Sequence, residues 1–151
     1  MSLSGKSTND REVVHSRLIN AVPSRLFKAL SEPAHLTRWW GPKGFSSTFQ
    51  TFDFRPGGKW IFVLHGPDGT DYPNENAFVE IVPSQRVVIE HISESHHFLL
   101  TISFEGVENS TLVGWRQVFD TAEHKAQVAH IVLAANEQNL DRLEAEVRNV
   151  R

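Results

Sequence analysis

The chain has 151 residues, 40 % of them apolar and 22 % charged, which suits one domain with a single sizeable core. Its net charge of −3 gives no electrostatic case for nucleic acid or an anionic membrane, and no apolar run approaches the ~18–20 residues of a membrane-spanning helix. The absence of cysteine excludes disulfides and thiolate chemistry, and the polar stretch Met1 to Asp10 lacks a signal-peptide core, which makes the cytoplasm the default location.

Residues 1–12 read as a loose polar tail and 13–147 as one domain. The β-branched run Val13 to Asn20 predicts a strand. Pro23 suits a first helical turn, and Leu26, Phe27 and Leu30 follow at helical spacing, so 23–30 predicts a short amphipathic helix. Ser31-Glu32-Pro33 restarts a second short helix over 33–38, which closes in Trp39 and Trp40. Neighbouring residues on a helix diverge by roughly 100°, so at least one of these tryptophans belongs to the core.

From Phe45 the period changes to two. Phe45, Ser47 and Phe49 share one phase while Phe52 and Phe54 share the other, and a flip near Gln50-Thr51 predicts a β-bulge, which bends a sheet. After the turn Arg55-Pro56-Gly57-Gly58, Trp60, Phe62 and Leu64 form an inward face. Gly66 to Thr70 is a hairpin turn. Further strands are predicted over about 74–82, 86–92, 98–105 and 110–119, evenly spaced as in an antiparallel meander. Thr121 can cap a final long helix over 123–147, whose apolar face is Val128, Ile131 or Val132, Ala135, Leu140, Leu143 and Val147. A bent sheet needs its concave face filled, and that helix is the one large element left. The implied fold is α+β, an antiparallel sheet curled around a C-terminal helix.

Both this order and four stretches resemble the SRPBCC or START-like superfamily with its helix-grip (birch-pollen-allergen-like) fold. Within it, the chain is similar to the family named for the activator of the heat-shock-protein-90 ATPase. The stretches are Glu32 to Leu36 with Trp39 to Phe45; Arg55 to Trp60; His65 to Tyr72; and Trp115 to Phe119 with Ala135 to Leu143. The resemblance implies a deep cavity between helix and sheet that takes a small hydrophobic molecule. Some relatives in the superfamily are cyclases or hydrolases, and the family's name adds a chaperone partner by analogy only. Where the commoner family pattern has Gly-Trp, this chain has Ala135-Asn136, which points an amide at the cavity.

On that footing Trp39, Trp40, Phe45, Trp60 and Phe62 are candidate pocket walls, with Trp115 on the last strand. Asn76 and Phe78 make a polar–aromatic pair. His91 shares the inward phase of Val87 and Ile89, and Gln117 that of Val113, Trp115 and Phe119. An amide on such a stripe needs a partner, with Asn136, Gln138 or a ligand as options. No metal is expected: among the eight histidines, His96-His97 point to opposite sides, and His124 and His130 face different directions. No cofactor cradle, nucleophile elbow or acid–base carboxylate pair is recognisable, and Arg17, Arg38, Arg55 and Arg116 read as surface ion-pairing residues. The leading expectation is a binding module. An enzyme with His91 as general base ranks second, and a chaperone-directed protein third. A homodimer through edge strands or the terminal helix stays open.

Overall fold

The period-two stripes become strands because one face of each finds a shared interior. In the structure, a computed structural model that describes residues 9–151, β6 (Phe98–Val107) buries Leu100, Ile102 and Phe104. Its neighbour β7 (Ser110–Phe119) buries Val113, Trp115, Gln117 and Phe119 on the same side. With β1 (Glu12–Ile19), β2 (Ser46–Phe52), β3 (Lys59–His65), β4 (Asp71–Val82) and β5 (Arg86–His91) they make one seven-stranded antiparallel sheet, ordered β1-β7-β6-β5-β4-β3-β2. β2 to β7 form the predicted meander. β1 docks on β7, so the segment holding α1 (Pro23–Ser31) and α2 (Pro33–Trp39) carries the chain from one sheet edge to the other.

The bulge predicted at Gln50-Thr51 is present: the β2–β3 register shifts between Phe49 and Thr51. The shift turns Phe49 and Phe52 to the same side, where their rings stack with centroids 5.8 Å apart. The sheet therefore bends over the helices, as a bulge dictates.

Several boundaries differ from expectation. β1 opens at Glu12, and the Arg11 guanidinium donates to the Phe119 carbonyl (2.9 Å), so the packed structure begins before residue 13. The rest of the expected tail, 1–8, lies outside the described residues. β4 begins at Asp71 rather than near 74. Proline argues against a central strand, but β5 pairs with β4 only as far as Asn76–His91, leaving Pro73 on a flank with no ladder to donate to. The last helix, α3 (Ala122–Glu146), is followed by a 3-10 turn, Val147–Asn149, and Val150 is buried. Arg25 from α1 donates to the carbonyls of Val147 and Val150, closing the end that sequence periodicity left ragged.

Thr121 caps α3 by accepting from the His124 N–H at 3.0 Å, as expected of a threonine before a helix. The buried face of α3 is mixed: Val132, Leu140 and Leu143 alternate with Asn136, Asn139 and Glu146. Of the pair Ile131 and Val132, it is Val132 that turns inward; Ile131 is 62 % exposed. Of the arginines expected to pair at the surface, three do so: Arg17 with Glu137 and Asp141, Arg55 with Asp53, and Arg116 with Glu12. Arg38 instead offers its carbonyl to Arg142, and pairs with no carboxylate among the described residues.

Candidate functional site

Between α3 and the concave face of the sheet, the packing leaves a cavity of about 270 Å³. Its apolar wall comes from Trp40, Leu64, Phe98, Leu100, Trp115 and Val132; its polar groups are Asn74, His91, His96, Gln117, Asn136 and Asn139. It shares Pro42, Leu64, Asn74, His91, His96 and Ile131 with a shallower depression of about 450 Å³ that adds Phe45, Tyr72 and Pro73. The inner space alone lies just below the ~300–1,000 Å³ of small-molecule sites, and the two together reach that range.

The rim is built by α3. At the end of α2 the chain turns through Trp40, Gly41 and Pro42, with Gly41 at φ +102°, a conformation that suits glycine. A Cβ there would also approach Leu64 Cδ1 to 3.0 Å. Asn139 donates to the Trp39 carbonyl (2.8 Å) and accepts from the Gly41 N–H (3.3 Å). Arg142 donates to the carbonyls of Arg38, Trp40, Gly41 and Pro42 at 2.9–3.3 Å, and Gln138 accepts from the Lys43 N–H. A turn with few backbone hydrogen bonds of its own thus finds further partners on one helix.

Inside, the two amides meet. Asn136 Nδ2 donates to Gln117 Oε1 at 3.0 Å, and both side chains are buried, at 8 % and 5 % exposure. Each satisfies half of the other's demand and leaves one amide edge toward the cavity. His91 sits at the junction of the two spaces, stacked on Phe98 with centroids 4.7 Å apart. Its Nδ1 meets Asn76 Oδ1 at 2.9 Å, while Asn76 Nδ2 donates to the Trp60 carbonyl at 3.2 Å. Burial pushes the imidazole down to about 4, with the nearby His96 and His97 adding repulsion to its charged form. His96 is likewise lowered, first by burial and then by His124, whose Nε2 lies 2.8 Å from its Nδ1. His97 points away, between Glu90 and Asp120 at 2.8 Å each, and these carboxylates raise it. Among the described residues, no cluster of three or more His, Asp or Glu is arranged to hold a metal ion.

The family model described as "Activator of Hsp90 ATPase homolog 1-like protein" matches residues 20–148. The chain belongs to this family. Solved structures share its fold along nearly the whole length. A protein from Nitrosomonas europaea is 18 % identical over 96 % of this chain and 99 % of its own, with a TM-score of 0.85. One from Arthrobacter aurescens is 22 % identical, covering 96 % and 90 %, at 0.86; one from Rhodobacter sphaeroides is 23 % identical, covering 94 % and 95 %, at 0.82. No curated protein matches. At these identities the likeness speaks for the helix-grip fold alone.

Within this family member, the residues singled out from sequence divide into two sets. Trp40, His91, Trp115, Gln117 and Asn136 line the inner cavity, and Phe45 lines the outer depression. Trp39, Trp60, Phe62 and Phe78 are all at most 2 % exposed and stand in the core behind the wall, not on it. The divergence of adjacent residues explains the first split: the Trp39 indole donates to the Ala29 carbonyl deep in the core, while Trp40 turns toward the cavity. Asn76 is also behind the wall, where it holds His91. Sequence reading missed Asn139 and Arg142, which make the rim, and His96, which lines both spaces. No hydrophobic period marks these residues; only their position in the stretch around Ala135 to Leu143 hints at the first two.

Among the described residues, no helix is long and apolar enough to cross a membrane.

Proposed function

We propose that this chain binds a small, largely apolar molecule between α3 and the sheet, so as to carry, sense or sequester it. The observation that carries this reading is the unfilled space of about 270 Å³ beside a buried Gln117–Asn136 pair. The free edges of these amides are open to a partner, and a guest with one or two polar groups would meet them. Trp40, Trp115, Phe98 and Leu100 would supply affinity through apolar contact, and the amides would select among guests.

An enzyme with His91 as general base is less well supported. A catalytic base near neutral pH needs a partner that stabilises its protonated form. His91 has a neutral amide and a value near 4. A chaperone-directed role rests on the family's name, and a pull-down that recovers a chaperone would bring it forward.

Native mass spectrometry of protein purified from its own host tests the binding reading, with a retained small mass expected. Gln117→Ala should then change which compounds are retained more than it changes folding. Protein that carries no extra mass and takes up no apolar probe in calorimetry would refute the proposal.

A further inference from the structure

The ring nitrogens of His91 have defined and different roles. A backbone carbonyl can only accept, so the contact between Asn76 and the Trp60 carbonyl fixes the Asn76 amide with Nδ2 toward Trp60 and Oδ1 toward His91. Oδ1 is itself an acceptor, and therefore His91 Nδ1 carries the hydrogen. A neutral imidazole has one hydrogen, so Nε2 is a bare lone pair. Nε2 has no protein partner among the described residues and is not sealed in the interior, while His91 lines both the cavity and its outer depression.

Among the other polar groups of the cavity, Asn139 is fixed by the Trp39 carbonyl and the Gly41 N–H, and Asn74 by the Tyr72 carbonyl, whereas the Gln117–Asn136 pair and His96 lack such an anchor. Turning both amides of the Gln117–Asn136 pair preserves their mutual bond, and in either state one N–H₂ and one carbonyl remain. His96 and His124 face each other nitrogen to nitrogen, so either can be the donor. These groups accommodate donors and acceptors alike. His91 does not: at neutral pH it offers acceptance only.

We propose that the cavity selects guests bearing a hydroxyl or N–H donor on an apolar body, with that donor hydrogen-bonded to Nε2 of His91, and discriminates against ethers and carboxylate anions of the same shape. Among the described residues, no lysine or arginine lines the inner cavity to receive a carboxylate, so an anion would meet the His91 lone pair and side chains without a formal positive charge. The selection rests on the binding reading given above, and its device is the relay Trp60 carbonyl–Asn76–His91, which sets one hydrogen from outside the cavity.

The test uses four probes of one ring size at pH 7: naphthalene, β-naphthol, the methyl ether of β-naphthol, and β-naphthoate. Titration calorimetry should find β-naphthol bound roughly three- to tenfold more tightly than its ether, as one added hydrogen bond implies, and the carboxylate bound weakest. His91→Phe should bring naphthol and ether within about twofold of each other. Nitrogen NMR of the wild-type imidazole gives a second reading if that variant does not fold. The His91 Nε2 resonance should be that of an unprotonated nitrogen, and it should move on adding naphthol but not the ether. Equal binding of naphthol and ether by the wild type, or a hydrogen found on Nε2, would overturn the selection while leaving a cavity that binds. Failure of all four probes would refute the binding reading, and the selection with it.

Discussion

The two halves of the interior are packed on different principles. Beneath β2 to β4, rings fill the space: Trp60 lies parallel to Phe78 with centroids 5.9 Å apart, and Phe49, Phe52 and Phe54 close around them. Beneath β5 to β7, the inward stripe is broken by His91 and Gln117, and α3 answers with Asn136. Rings interlock with one another in edge-to-face and stacked pairs and leave few gaps. Amides and imidazole must be aimed at partners, and the geometry that satisfies them holds the walls apart. One interior thus contains a block filled by rings and a hollow lined in part by polar groups.

The largest effect expected from breaking this contrast is in the block. Trp60→Ala removes a fully buried ring and should cost about 3–5 kcal/mol in urea unfolding. Affinity for naphthalene should fall only as far as the folded fraction falls. A cost below about 1 kcal/mol would mean the rings are not where stability resides.

Asn139→Ala strips partners from both the Trp39 carbonyl and the Gly41 N–H. About 1–3 kcal/mol should be lost, since these groups are buried. Because the turn forms the rim, probe affinity should fall with it. A variant that keeps full affinity would separate the rim from recognition.

Ala135→Phe sharpens the contrast in the opposite direction by filling the hollow. Naphthalene binding should weaken at least tenfold, about 1.4 kcal/mol, with the melting temperature changed little. Unchanged binding would place the guest elsewhere.

The smallest effect is the response to pH. His91 and His96 are lowered in the fold, so between their ordinary value near 6.5 and their folded values the unfolded chain holds more protons. Their contribution is present above pH 6.5 and is lost as pH falls, for His91 down to about 4. His97 is raised, and its contribution is present below pH 6.5 and is lost as pH rises through its folded value. Stability between pH 7 and 5 should therefore fall gently in the wild type and more steeply in His97→Asn. Urea unfolding across that interval measures it, and a flatter curve in the variant would reverse the assignment of signs.

The fold was legible in the sequence because period and punctuation are local. Phe98 to Phe104 alternates, Pro23 and Pro33 mark helix starts, and the phase flip at Gln50 and Thr51 betrays the bulge. Pro73 misled because a local rule cannot tell that β5 stops short of it. The site was legible in part, for a related reason. Gln117 and His91 stood out as polar residues on apolar stripes, and Asn136 as a departure from the family's Gly-Trp, whereas aromatic residues on an inward stripe are equally good as pillar or wall. Trp60 and Phe78 became pillars, Trp40 and Trp115 walls, a difference that depends on contacts distant in sequence. Arg142 reaches a turn about a hundred positions away in the chain, and a contact of that kind leaves no periodic trace.

The early end of β5 has a consequence for traffic. Past Glu75, β4 keeps its pairing with β3 as far as Asp71 but has no strand on its other side, and the depression holding Tyr72, Pro73 and Asn74 opens beside that edge, with Ile131 also lining it. On the binding reading proposed above, a doorway framed by a strand's open edge and the side of a helix would admit and release a guest without unzipping any backbone ladder. Exchange through it needs only side-chain rotation, which sets its natural clock at nanoseconds rather than at the far slower pace of helix displacement.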